Sequence, residues 1–168
     1  MKVAIKDANI LIDLIEADLL GLWFRLGIET FTTDLVHFEI KKESQRKTLD
    51  AFIEAGLLKV ESFEPELLQI IGTIKNEHRI SMADASTLFL ARKLGAVLLS
   101  GDERLRKAAK ASELDVRGIF WIFDRLLDER LLTKYEACLR LQRLIDCGSF
   151  LPRNICDERL RAWGEPTT

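Results

Sequence analysis

The chain has 168 residues, 48% hydrophobic and 31% charged, with a formal charge of −2 at pH 7. That length suits one domain with a proper apolar core and a solvated surface. The near balance of charge excludes a globally basic field, so a nucleic-acid partner must be held by local cations. No stretch reaches the ~20 apolar residues of a membrane span.

Val3 to Ile5 reads as a buried strand. Lys6 and Asp7 interrupt it at once, so no signal peptide is expected. Ala8 to Leu26 carries apolar residues at helical spacing, read as two helices, and Ile28 to Thr32 is a second strand. Asp34 to Lys42 is a helix with Asp34 as N-cap, and Gln45 to Ala55 another, ended by Gly56. Leu57 to Val60 is a short strand, and Pro65 opens the helix Glu66 to Arg79. Ser81 to Leu94 is a helix closed by Gly95. Ala96 to Leu99 is almost wholly apolar, as a strand buried on both faces should be. Glu103 to Glu113 is a helix and Asp115 to Arg117 a last short strand. This alternation predicts a three-layer α/β/α fold around a mainly parallel sheet.

From Ile119 the pattern is helical: Phe120 to Glu129, Lys134 to Asp146 and Pro152 to Trp163, with Thr133 and Asn154 as caps. No Gly/Ser linker, repeat or low-complexity segment intervenes. We therefore expect a single domain over 1–168, with a core of about 2–118 and a helical C-terminal extension of about 119–163 packed onto it. Cys138, Cys147 and Cys156 match no metal-binding spacing and are expected to be reduced thiols of a cytoplasmic protein.

Four isolated acids stand where strands or loops pass into helices: Asp7, Glu39, Asp84 and Asp102. In an open α/β sheet such positions line one crevice. Each also has a plainer reading. Asp7 and Asp102 can be helix N-caps, Asp84 stands three residues after Ser81 at the capping-box spacing, and Glu39 can be a solvated helical carboxylate. Leu35 and Val36 place Glu39 on the side of its helix expected to face the core. Asp84 likewise heads the stripe Leu88, Ala91. Carboxylates converging to ~5 Å would repel by about 3 kcal/mol per pair at an effective dielectric near 20, which a hard divalent cation would offset. Asn9, Ser81 and Ser100 are near enough in sequence to orient these groups or metal-bound waters, or else to serve as turn and cap residues.

In the stretches Lys6-Asp7-Ala8-Asn9 with Ile10-Leu11-Ile12-Asp13-Leu14, the Glu39 helix, Ser81-Met82-Ala83-Asp84-Ala85 and Leu99-Ser100-Gly101-Asp102, the chain resembles the PIN-domain family of metal-dependent nucleases. The resemblance covers about residues 2–118 and keeps all four acids in the family order, with Ser100 where Thr is common. It implies Mg²⁺ or Mn²⁺ at Asp7, Asp84 and Asp102, with Glu39 a ligand directly or through water, and hydrolysis of RNA. Many single-domain members are VapC-type toxins, which implies an antitoxin partner. The tail resembles an extension in another group of small prokaryotic PIN proteins, and departs from the compact toxin pattern.

Lys41, Lys42, Arg46 and Lys47 follow Glu39, and Arg104, Arg106, Lys107 and Lys110 follow Asp102. Both groups are candidates for holding RNA phosphates, or are solvated helix faces. His37 and His78 are not required as bases. Leu19, Leu20, Leu22, Trp23 and Phe24, with Phe120, Trp121, Ile122 and Phe123, form either core or a homodimer or antitoxin surface. The leading expectation is a Mg²⁺- or Mn²⁺-dependent endoribonuclease. The alternative is a catalytically silent PIN-like nucleic-acid or protein-binding module. A phosphoryl-transfer domain ranks below both, because no Lys stands at a late strand end.

Overall fold

A computed structural model of the chain describes residues 2–5 and 7–164, the side chains of residues 4 and 5 excepted; Lys6 of the first motif lies outside the described residues. The order is β1 (Lys2–Ile5), α1 (Ala8–Glu16), α2 (Leu20–Phe24), β2 (Glu29–Thr33), α3 (Asp34–Glu39), α4 (Glu43–Glu54) and β3 (Leu58–Glu61). Then come α5 (Pro65–His78), α6 (Met82–Leu94), β4 (Val97–Leu99), α7 (Glu103–Ala111), β5 (Val116–Arg117), α8 (Ile119–Asp128), α9 (Lys134–Asp146) and α10 (Arg153–Gly164).

The strands form one sheet in the order β3-β2-β1-β4-β5, every pairing parallel. β1 is central, pairing Ala4 with Phe31 on one side and Ile5 with Leu99 on the other. The chain winds outward through β2 and β3, then returns to place β4 and β5 on the far side of β1. The winding direction reverses between β1 and β4. In a doubly wound sheet, a crevice opens at the carboxyl ends of the two strands that flank such a reversal.

Successive side chains on β4 point to opposite faces, and each face is covered by its own helices. Leu98 joins Ile71, Ile74, Leu88 and Leu105 from α5, α6 and α7. Leu99 and Val3 join Leu11, Leu14 and Trp23 on the other face. This is the expected three-layer α/β/α arrangement.

The C-terminal helices complete the second layer. Phe123 and Leu126 of α8, Leu141 and Leu144 of α9, and Trp163 of α10 belong to the same apolar cluster as Leu11 and Trp23. Trp23 is fully buried, donates its indole N–H to Thr30 Oγ1 at 2.9 Å, and meets Trp121 with ring centroids 6.1 Å apart. Arg140 of α9 donates to the carbonyl oxygens of Ala17 and Asp18 at 2.9 and 2.6 Å, and Arg159 of α10 forks onto Asp124 of α8. Leu19, Leu20, Trp23, Ile122 and Phe123 are therefore core, with Leu22, Phe24, Phe120 and Trp121 packed against it.

Two caps differ from expectation. Thr33, not Asp34, caps α3: it keeps the extended backbone of β2 and its Oγ1 accepts the Val36 N–H at 3.2 Å. Asp34 then occupies the first turn, where a negative charge suits the helix dipole. Asn154 lies inside α10, which starts at Arg153. Thr133 forms a complete capping box with Glu136, as its position predicts. Gly95 ends α6 at φ 60°, a left-handed turn that glycine adopts without a Cβ penalty.

Candidate functional site

The site is assembled by strand ends. Asp7 lies two residues beyond β1 and Asp102 three beyond β4, and these strands are direct neighbours. Each acid begins the helix that follows. Asp7 Oδ1 accepts the Ile10 N–H at 2.7 Å, and Asp102 Oδ1 accepts the Leu105 N–H at 2.9 Å. Asp7 is 5% exposed and takes φ 35° with ψ 155°, outside the left-handed helical well and strained for any residue with a Cβ. Ser100 is fully buried: its Oγ accepts the Asp102 N–H at 3.0 Å while its own N–H pairs with Arg117 O at 2.9 Å. A hydroxyl at this position thus fixes the turn that presents Asp102. At both acids the cap bond uses one carboxylate oxygen and fixes where the group points.

Asp84 sits in the first turn of α6, half-buried, its N–H donated to Ser81 Oγ at 3.1 Å. Two residues on, Ser86 Oγ lies 2.8 Å from Thr33 Oγ1 at the carboxyl end of β2. That contact ties the start of α6, and Asp84 with it, to the same edge of the sheet as Asp7 and Asp102. Glu39 ends α3 and is exposed, although Val36 one turn earlier is fully buried. The expectation that Glu39 faces the core is therefore corrected. α3 ends at Glu39, and it is Ile40, in extended backbone, that turns into the core.

A cavity of about 1000 Å³ opens at the β1–β4 edge, lined by Asp7, Asn9, Asp13, Glu16, Asp102 and Arg104, among others. Asn9, Asp13 and Glu16 recur at spacings of four and three along α1, hence on one face of it. Neither Glu39 nor Asp84 lines this cavity. Among the described residues no three His, Cys, Asp or Glu side chains are grouped closely enough to hold a metal together.

Asp13 was not singled out in the sequence, though an acid inside the apolar run from Ile10 to Ile15 is the signal that marks it. Burial pushes its carboxyl above the usual aspartate range; the Ser149 hydroxyl donates to it at 2.6 Å and opposes this, and the negative charge of Asp7 adds to the rise. Glu16 is held below its ordinary value, first by the Gln45 amide donated at 2.7 Å; desolvation opposes this, and Lys42 at 3.7 Å and the charge of Arg143 add to the lowering. The C-terminal extension also borders the cavity, which the sequence pattern does not indicate. The loop from Cys147 to Pro152, between α9 and α10, forms a wall of the cavity.

The expected phosphate-binding cations separate. Lys42 and Arg104 line the cavity. Arg106 donates to Ser100 O at 2.8 Å and so braces the Asp102 turn, although with Lys107 and Lys110 it also lines a smaller groove of about 430 Å³. Lys47 pairs with Glu43 at 3.1 Å, Lys41 lies 3.8 Å over the Phe38 ring, and Arg46 is half-buried on α4. His37 bonds Asp50 at 2.7 Å and joins α3 to α4. The three cysteines are free thiols. No helix among the described residues is long and apolar enough to cross a membrane.

A parallel doubly wound sheet with acids at the two strand ends that flank its reversal defines an α/β protein built around an acidic crevice. The chain belongs to the PIN-domain family: the model of "DUF3368: PIN domain" matches residues 3–165. It is similar to Endoribonuclease Nob1 of Methanocaldococcus jannaschii, 29% identical over 144 residues, which is 79% of this chain and 71% of that protein. The crystal structure of PAE2754 from Pyrobaculum aerophilum shares the fold, with a TM-score of 0.55 at 19% identity over 76% of this chain and 99% of that one.

Proposed function

We propose that the protein is a divalent-cation-dependent endoribonuclease that hydrolyses RNA phosphodiester bonds in the β1–β4 crevice. The observation that carries this reading is the pairing of Asp7 and Asp102 on adjacent strand ends of one cavity. Membership of the PIN family and the similarity to an endoribonuclease support it.

The donor set fits Mg²⁺ or Mn²⁺ by its chemistry. It is all oxygen, and Mg²⁺ commonly takes only one or two carboxylates, keeping water and substrate phosphate in its other positions. A cluster of three protein acids is therefore not required. Asp7 and Asp102 would hold the ion, and Asp84 and Glu39, on the same edge or beside it, would act through bound water. Such a cation supplies an acidified water and neutralises charge on the phosphoryl group. The chain's own part is to fix the carboxylates by cap bonds, to line the crevice with Arg104 and Lys42 for phosphate, and to hold a proton on Asp13 more readily than on an ordinary aspartate.

Incubation of the protein with labelled single-stranded RNA should give cleavage with Mg²⁺ or Mn²⁺ and none with EDTA. Undiminished cleavage after full metal removal would contradict the reading. The alternative is a silent RNA-binding module; RNA retention without cleavage in either metal would select it. The narrower reading, a toxin with an antitoxin partner, requires that induced expression arrest growth and that Asp7→Asn relieve the arrest.

A further inference from the structure

We propose that Phe150 is a stacking platform for one base of a single-stranded RNA drawn across the mouth of the crevice. The inference rests on the nuclease reading and names how its substrate is held. Phe150 is fully exposed, at 106% of the reference area for its residue type, yet it belongs to the loop that walls the cavity containing Asp7 and Asp102. Its neighbours on both sides are fastened. The Ser149 hydroxyl bonds Asp13 at 2.6 Å and its N–H bonds Leu144 O at 3.0 Å, while the Leu151 N–H bonds Ser149 O at 3.0 Å and the Leu151 side chain packs against the apolar core. The ring is thus held outward by a secured backbone, and it gains no burial where it stands.

Other walls of the same cavity carry cations. Arg104 makes no ion pair among the described residues, and Lys42 stands beside Glu16 at 3.7 Å. A backbone track of positive charge beside an exposed aromatic face is the combination that binds single strands without reading sequence, because every base has a π-face and the phosphates are uniform. A duplex keeps its bases stacked on one another and offers the ring nothing. The two cations and the outward ring on the crevice walls suit the phosphates and bases of a single strand better than an apolar protein surface.

The test compares wild type, Phe150→Ala and Phe150→Trp, by fluorescence anisotropy with a labelled single-stranded oligoribonucleotide and with the same sequence as a duplex, all in EDTA. Stacking predicts that Phe150→Ala weakens single-strand binding about tenfold, that Phe150→Trp keeps or strengthens it, and that duplex binding is unchanged. Melting temperatures should match, since the ring lies outside the core. Equal single-strand binding by Phe150→Ala, or parallel loss for both RNA forms, overturns the proposal, and would leave the ring as a contact for a protein partner. Metal-dependent cleavage by wild type is measured alongside. If wild type cleaves and Phe150→Ala binds equally well, stacking alone fails; if wild type neither cleaves nor binds, the nuclease reading fails and stacking with it.

Discussion

At Asp7 and Asp102, structural and chemical roles can be separated by one atom. Asparagine caps a helix about as well as aspartate and has almost the same shape, so Asp7→Asn should keep the Ile10 bond and add no backbone strain beyond that already present. We expect Asp7→Asn and Asp102→Asn to abolish cleavage while melting temperature without metal stays level or rises. Asp7→Ala should cost about 1 kcal/mol more, through loss of the cap. Full activity in Asp7→Asn would remove it from the essential set. Asp13 makes a pH-dependent prediction. Its folded pKa lies above the ordinary 3.8, so the folded protein binds this proton more tightly than the unfolded chain does. Its contribution to stability therefore falls as pH rises from 3.8 through the folded value. Asp13→Asn, which still accepts from Ser149, should be more stable than wild type at neutral pH without metal, with the gap closing on acidification. Urea denaturation of both proteins between about pH 4 and pH 7 measures it. The strand-end acids were legible because each follows an apolar strand at a transition to a helix. The surroundings of Asp13 are not legible in this way, because its hydrogen bond comes from Ser149, a residue far along the chain.

The elements were legible where hydrophobic period and cap chemistry agreed. α9 has the bounds that the sequence pattern predicts, and Thr133 and Glu136 stand at the spacing that lets each bond the other's backbone. Thr133→Ala should destabilise the protein by about 1 kcal/mol, read by urea denaturation. α3 stops three residues short of the helix that the sequence pattern suggests, since Ile40 is apolar and fits a helical pattern. Its turn into extended backbone is set by burial against the core, which local propensity does not encode. The exposure of Glu39 follows from the same early stop. The Thr33 cap was hidden for a similar reason: a threonine ending a strand and one beginning a helix read alike until the backbone is known.

At the scale of the whole molecule, the extension is not an ornament on a finished fold. Leu141 and Trp163 are buried in the same cluster as Leu11 and Trp23, so we propose that sheet and tail unfold together. Leu141→Ala should cost about 2–5 kcal/mol, and sheet and C-terminal signals should move in one transition. Two separate transitions would show the tail to be independent. The wall made by residues 147–152 has a further consequence, one of timing. Asp7 and this wall stand at opposite ends of the sequence yet border one cavity. Because the closure spans most of the sequence, we expect the crevice to be completed late in folding. By the same separation, fraying of α10 and its leading loop would open the crevice while β1 and β4 remain paired. Hydrogen exchange should then find the amides of residues 147–156 less protected than those of the central strands.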